Sequence, residues 1–202
     1  DAALLSCSGM TAVHVVRMAN VRLGETAVVD GIGGVGLMVI QACVAAGARV
    51  IGIADSESKA ELARNAGADD VIVLGDAGYE AVAEEIRSRT GGAGSHYYFE
   101  LVGTTSSMLA GIKGLTRHCA LVSIGYTSEN IELHPIELIL SETRILSSVA
   151  ASRDDLVTAI ALNSQGKMRS TIDTRYPLAE AGIAFDRLRA RSVLGRNVLT
   201  WD

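Results

Sequence analysis

Short apolar runs alternate with longer amphipathic runs along the chain. Thr26–Asp30 is a short apolar strand, and residues 37–46 form a helical run that Gly47 closes. Arg49–Ala54 is apolar without alternation, the pattern of a strand buried on both faces. Residues 56–66 then read as helix, 71–74 as strand, and 78–89 as a helix with Tyr79, Val82 and Ile86 on one side. A glycine-rich loop over 90–94 precedes a strand at 97–102, a helix at 104–113 and a strand at 120–125. Residues 136–140 fit either template, and 145–150 read as a sixth strand. Ser152 and Asp155 form a capping-box-like helix start, Leu178, Ala181, Phe185 and Leu188 mark the face of another helix, and 193–201 read as a closing strand. Buried strands separated by helices predict an α/β fold with a doubly wound, six-stranded parallel sheet in the order 3-2-1-4-5-6.

Composition narrows the functions this fold can serve. With 49% apolar residues the 202-residue chain buries a real core, which excludes disorder. A net charge of −5 without a basic cluster argues against nucleic acid as partner. The longest apolar stretch, 36–54, is interrupted by Gln41 and Arg49, so no membrane span is expected. Three dispersed cysteines, Cys7, Cys43 and Cys119, imply no disulfide framework; with no signal peptide legible, a cytoplasmic protein is expected. The chain opens on Asp1 and runs directly into an apolar segment, as a portion of a longer protein would.

Gly31-x-Gly33-x-x-Gly36 lies between a strand and a helix, the setting in which this spacing binds a dinucleotide. Gly31 permits the tight turn, Gly33 lets the backbone approach a pyrophosphate, and Gly36 lets the helix pack close to the strand. The helix N-terminus, with Gly34 and Val35 in its first turn, supplies free N–H groups and partial positive charge to the phosphates. Asp55, nineteen residues beyond Gly36, is placed to accept hydrogen bonds from ribose hydroxyls and to repel a 2′-phosphate, which favours NAD over NADP. Lys59, one turn later, reaches toward the same ribose. The alternative readings are a helix-capping acid for Asp55 and a solvated lysine for Lys59. Asp30 directly before the glycines leaves an S-adenosylmethionine loop open as a competing ligand site.

The chain resembles the medium-chain dehydrogenase/reductase superfamily, specifically its zinc-type alcohol dehydrogenases. The resemblance is carried by Cys7-Ser-Gly-Met-Thr11, Leu23-Gly-Glu25, the glycine cluster, Lys59 through Gly67-Ala68, Phe99-Glu-Leu-Val-Gly103, Leu121-Val-Ser-Ile-Gly125, a Tyr176-Pro-Leu helix and Gly195-Arg196-Asn-Val-Leu199. It implies a Rossmann domain over 1–150, lead-in segment included, and a 151–202 segment returning to a catalytic domain that this chain lacks. It implies further that Cys7 is one of three protein ligands of a catalytic zinc. Thr11 would lie against the nicotinamide, Leu101 and Val102 would form the cofactor wall, Ile124 and Tyr126 would flank the carboxamide site, and Arg196 would reach the pyrophosphate. The family's ribose-binding acid sits one residue earlier, where this chain has Ala54.

The expected activity is hydride transfer between nicotinamide and an alcohol, aldehyde or ketone, by the cofactor-binding portion of the enzyme. Alternatives are a zinc-free NADPH quinone or enoyl reductase, a non-catalytic dinucleotide-binding module and, more distantly, a methyltransferase. The resemblance also implies a homodimer built through the sixth strand. The four histidines, Cys43 and Cys119 read as structural or surface residues.

Overall fold

The computed structural model describes residues 2–201. Helix α1 (Ala2–Leu4) runs through a π-helical turn, Leu5–Gly9, into α2 (Met10–Ala19). There follow β1 (Thr26–Asp30), α3 (Gly34–Ala45), β2 (Arg49–Ala54), α4 (Glu57–Asn65) and β3 (Asp70–Val73). A 3₁₀ turn, Gly78–Glu80, leads into α5 (Val82–Arg89), β4 (Ser95–Glu100), α6 (Thr105–Gly114) and β5 (Leu115–Ser123). After them come α7 (Pro135–Ser141), β6 (Arg144–Ser147), α8 (Arg153–Ser164), β7 (Ile172–Pro177), α9 (Ala181–Arg189) and β8 (Arg196–Thr200).

The first six strands form one parallel sheet in the order β3-β2-β1-β4-β5-β6, as the pattern predicts. The chain crosses over between β1 and β4, and in such sheets ligands bind beyond the strand ends at that switch point. One face carries Ala27, Val29, Val50 and Phe99 under α2 and α3; the other carries Val28, Ile51, Ile53 and Tyr98 under α5 and α6. Helix α3 is apolar nearly all round because the sheet covers one side and α2 the other. Ala159 of α8 and Met168 beyond it are fully buried in the α2–α3 core.

Residues 2–19 form a helical stretch long and apolar enough to cross a membrane, but Ala12, Val13, Val15 and Val16 are buried in this core. They pack as a core helix does.

Several boundaries differ from expectation. Strand β5 starts at Leu115 rather than at 120, because α6 passes into it without a loop; His118 at φ +60° kinks the chain where the β4–β5 register shifts. The ambiguous 136–140 segment is helical: Pro135 occupies its first turn and the His134 side chain accepts from the Ile136 N–H. Tyr176 and Pro177 end a strand, β7, rather than open a helix; that strand pairs in parallel with β8 in a separate two-stranded sheet. Its mixed polar sequence, Ile-Asp-Thr-Arg-Tyr-Pro, carries no apolar run to announce it. Of the face marked by Leu178, Ala181, Phe185 and Leu188, the last three lie on α9 and Leu178 in a 3₁₀ turn before it; Leu178, Phe185 and Leu188 are about half exposed, and in α9 only Ala184 is buried.

Candidate functional site

The turn from β1 into α3 has the geometry its glycines suggest. Gly31 sits at φ +102°, a conformation that a side chain would strain, and a Cβ there would press on Leu101 and Val102 at 3.2–3.3 Å. A Cβ on Gly36 would collide with the carbonyl oxygen of Gly31, so the helix can approach the turn only through glycine. A Cβ on Gly33, which caps α3 without a side chain, would meet open space; the Gly33 N–H donates to the Gly31 carbonyl at 3.1 Å, and the N–H groups of the first helical turn have no carbonyl within the helix to accept from them.

The Arg196 side chain lies across Gly34 in the volume a Cβ would fill. Its buried Nε has no hydrogen-bond partner among the described residues. A buried guanidinium nitrogen without an acceptor, beside a helix N-terminus with unsatisfied N–H groups, is a cradle for an anion the size of a diphosphate.

At the end of β2, Asp55 is exposed, and its Oδ2 accepts from Lys59 Nζ at 2.6 Å. The two residues expected at the ribose therefore meet each other. The next wall is organised by Glu100, which the sequence pattern does not single out. Glu100 is completely buried, and its Oε1 accepts from the N–H groups of Val102 (2.9 Å) and Gly103 (2.7 Å) and from Ser107 Oγ (2.7 Å). Its main-chain carbonyl accepts from the N–H groups of Ile124 and Gly125 at 2.9 and 3.0 Å. One residue thus pins both turns on which Val102 and Ile124 sit. The Phe99-Glu-Leu-Val-Gly103 segment is the one sequence signal that contains it.

Asp30 is also buried. It accepts from Tyr98 (2.7 Å) and Tyr79 (3.0 Å). Burial and, more weakly, the nearby Glu100 charge push its carboxyl up to about 7, against the downward pull of the two phenols. Burial holds both phenols protonated and raises them well above their ordinary range. An acid committed to two tyrosines beneath the turn is not presented to a ligand, which removes the support for an S-adenosylmethionine loop.

Thr11 is half-buried on α2, and Cys7 is exposed in the π-helical turn. Among the described residues no group of three His, Cys, Asp or Glu side chains could hold a metal. A catalytic zinc needs three protein ligands. Cys7 alone does not meet that requirement. Cys43 and Cys119 are buried, and burial raises both thiols, so they pack rather than react. All four histidines are engaged locally. His14 bonds Asp155 at 3.0 Å, His96 accepts from Thr26 N–H, His118 pairs with Glu142, and His134 caps α7.

The capping box at the start of α8 does more than cap. Asp155 accepts from the Ser152 hydroxyl and N–H at 2.7 and 2.9 Å, from His14, and from Arg17 at 2.9 Å. Burial alone would raise its carboxyl; these donors outweigh burial and hold it well below the usual range. The cluster fastens α8 onto α2.

The chain belongs to the zinc-binding dehydrogenase family, whose sequence profile matches residues 34–165, well over half its length. It is 31% identical over 201 residues to an NAD-dependent alcohol dehydrogenase of Sulfurisphaera tokodaii, covering 98% of this chain and 57% of that protein. It is likewise 31% identical over 188 residues to an acryloyl-coenzyme A reductase of Metallosphaera sedula, covering 92% of this chain and 53% of the relative. A solved structure, that of AibC, superimposes with a TM-score of 0.91 at 37% identity, covering 98% of this chain and 55% of that one. The chain thus spans little more than half the length of these relatives.

Proposed function

We propose that this chain is the cofactor-holding portion of an NAD(P)-dependent oxidoreductase of the alcohol dehydrogenase type, serving hydride transfer between nicotinamide and an alcohol, aldehyde or ketone. The observation that carries this reading is the turn over 31–36 roofed by the unpartnered Arg196 Nε. When bound, the dinucleotide would supply the hydride chemistry; the chain's own residues hold and orient it. The amides of Gly34 and Val35 and the Arg196 guanidinium would receive the diphosphate, with Gly31, Gly33 and Gly36 setting the turn and letting the ligand approach. Asp55, released from Lys59, would accept from the ribose hydroxyls while Lys59 stays beside them. Thr11, Val102 and Ile124 would line the nicotinamide end. Cys7 would contribute one thiolate to a zinc site whose other ligands lie outside this chain. On this reading residues 1–150 form the cofactor domain, and 151–202 lead back to the substrate-binding part of the enzyme.

The likeness to an acryloyl-coenzyme A reductase favours, as a second reading, a reductase acting on an activated alkene. The exposed carboxylate of Asp55 opposes a 2′-phosphate, so NADH is the expected cofactor under either reading. Strand β6 closes one side of the sheet and displays Ile145; exposed Ile139 and Leu140 stand on the preceding helix. We assign this edge to pairing with a second copy of the chain.

Fluorescence titration with NADH and NADPH, alongside an alcohol-oxidation assay, tests the proposal. Saturable NADH binding with weaker NADPH binding and no turnover by the 202-residue chain is the expected result. Robust turnover by this chain, or no binding of either nucleotide, would overturn it.

A further inference from the structure

Two carboxylic acids lie side by side beneath the proposed nucleotide site. Asp30 ends β1 and Glu100 ends β4, and the two are register partners on neighbouring parallel strands. Their side chains therefore leave the same face of the sheet from strands about 4.8 Å apart. Both residues are at most 1% exposed. The groups around them come from four elements: Tyr98 and Glu100 on β4, Tyr79 on the 3₁₀ turn after β3, Ser107 on α6, and, reaching only Tyr79, Asp55 with Lys59 bound to it. Among these neighbours no cation bonds either acid.

The hydrogen bonds leave one position open. Both oxygens of Asp30 accept from tyrosines, and Glu100 Oε1 accepts three donors. Glu100 Oε2 is buried with no partner among the described residues. Two adjacent buried carboxylates cannot both ionise cheaply, and the Glu100 charge adds weakly to the burial that raises the Asp30 carboxyl. Each acid also anchors a turn. The Asp30 main-chain carbonyl accepts from Leu101 N–H at 3.0 Å, immediately before the glycine turn, while Glu100 pins Val102 and Gly103.

We propose that Asp30, set beside Glu100 on the neighbouring strand, keeps a proton and that the two acids act together as a positioning pair, joining the glycine turn to the 101–103 turn so that dinucleotide affinity falls when the Asp30 proton leaves. This rests on the dinucleotide reading. Loss of the proton adds a negative charge directly under the anionic ligand and sets two carboxylates against each other. Both effects weaken binding in the same direction, as pH rises. The burial-driven rise of the Asp30 carboxyl places the change near neutrality.

Two measurements on the 202-residue chain test the pair. In the first, the side-chain carboxyl carbons are followed by NMR on ¹³C-labelled protein between pH 4.5 and 9. One titration step of Asp30 near neutrality, tracked by the amides of Gly31, Val102 and Gly103, supports the proposal; ionisation of Asp30 below pH 5 overturns it. In the second, NADH is titrated between pH 6 and 8.5. About a tenfold loss of affinity across that range is expected from one added charge at this depth, and a flat profile overturns the proposal. Asp30→Asn should flatten the profile. If that variant fails to fold, Glu100→Gln, which keeps an acceptor for the two N–H groups, should shift the step to lower pH. Absence of NADH binding at every pH would sink the dinucleotide reading, and the carboxyl titration would still decide whether Asp30 keeps its proton.

Discussion

The six-stranded sheet and the β7–β8 pair are both parallel, yet they are finished differently. In the larger sheet every residue of β1 is buried, and helices cover both faces. In the smaller pair β8 is half-buried throughout, while α9 beside it leaves Ile183, Phe185 and Leu188 more than half exposed. The first is a closed body that buries its own apolar surface. The second keeps an apolar face open and still lays one side chain, Arg196, across the glycine turn. The glycine turn is thus built by both regions: the large sheet shapes it, and the small one places a guanidinium above it.

Substitutions can break or sharpen that division. The largest effect is expected for Gly36→Val, whose side chain meets the Gly31 carbonyl with no room to yield. It should cost about 3 kcal/mol in a denaturant melt and abolish NADH binding. Asp155→Ala removes the cluster fastening α8 to the closed body and should cost about 2 kcal/mol. The Asp155 carboxyl lies below its unfolded value, so its stabilisation is present above about pH 4 and is lost as pH falls toward the folded value. The wild-type loss of stability between pH 4 and 2, read by urea melts, should therefore be shallower in Asp155→Ala. Arg196→Ala should weaken NADH binding about tenfold and move stability by no more than about 0.5 kcal/mol. Smallest of all, Phe185→Ser and Leu188→Ser should each change stability by less than about 0.5 kcal/mol. A loss as large as that of Asp155→Ala would show that α9 belongs to the closed body.

Much of the closed body was legible because buried parallel strands read as uninterrupted apolar runs and glycine spacing reports backbone geometry directly. β1, β2, the strand order and the 31–36 turn all follow from such signals. Strand β7 was not legible: Ile172–Pro177 alternates irregularly between polar and apolar residues, and its partner lies about twenty residues on. Family resemblance implies only a pyrophosphate role for Arg196; its placement over Gly34 is visible in no local pattern, since residues 34 and 196 are joined only by the fold. Glu100 and Asp30 escape a linear reading for a related reason. A single acid ending an apolar strand looks like a strand terminus, and only the register shows that two of them are neighbours beneath the site. Asp55 and Lys59 read separately as ribose ligands, but at i and i+4 they reach each other first.

The central claim is that the 31–36 turn receives a diphosphate. Titrating ¹⁵N-labelled protein with NAD while following backbone amides and arginine Nε–H signals tests it most directly. The account predicts saturable shifts of Gly33, Gly34, Val35 and the Arg196 Nε–H with a single dissociation constant. Saturation that leaves these four unmoved, or that moves only residues remote from the β1–α3 turn, would contradict it.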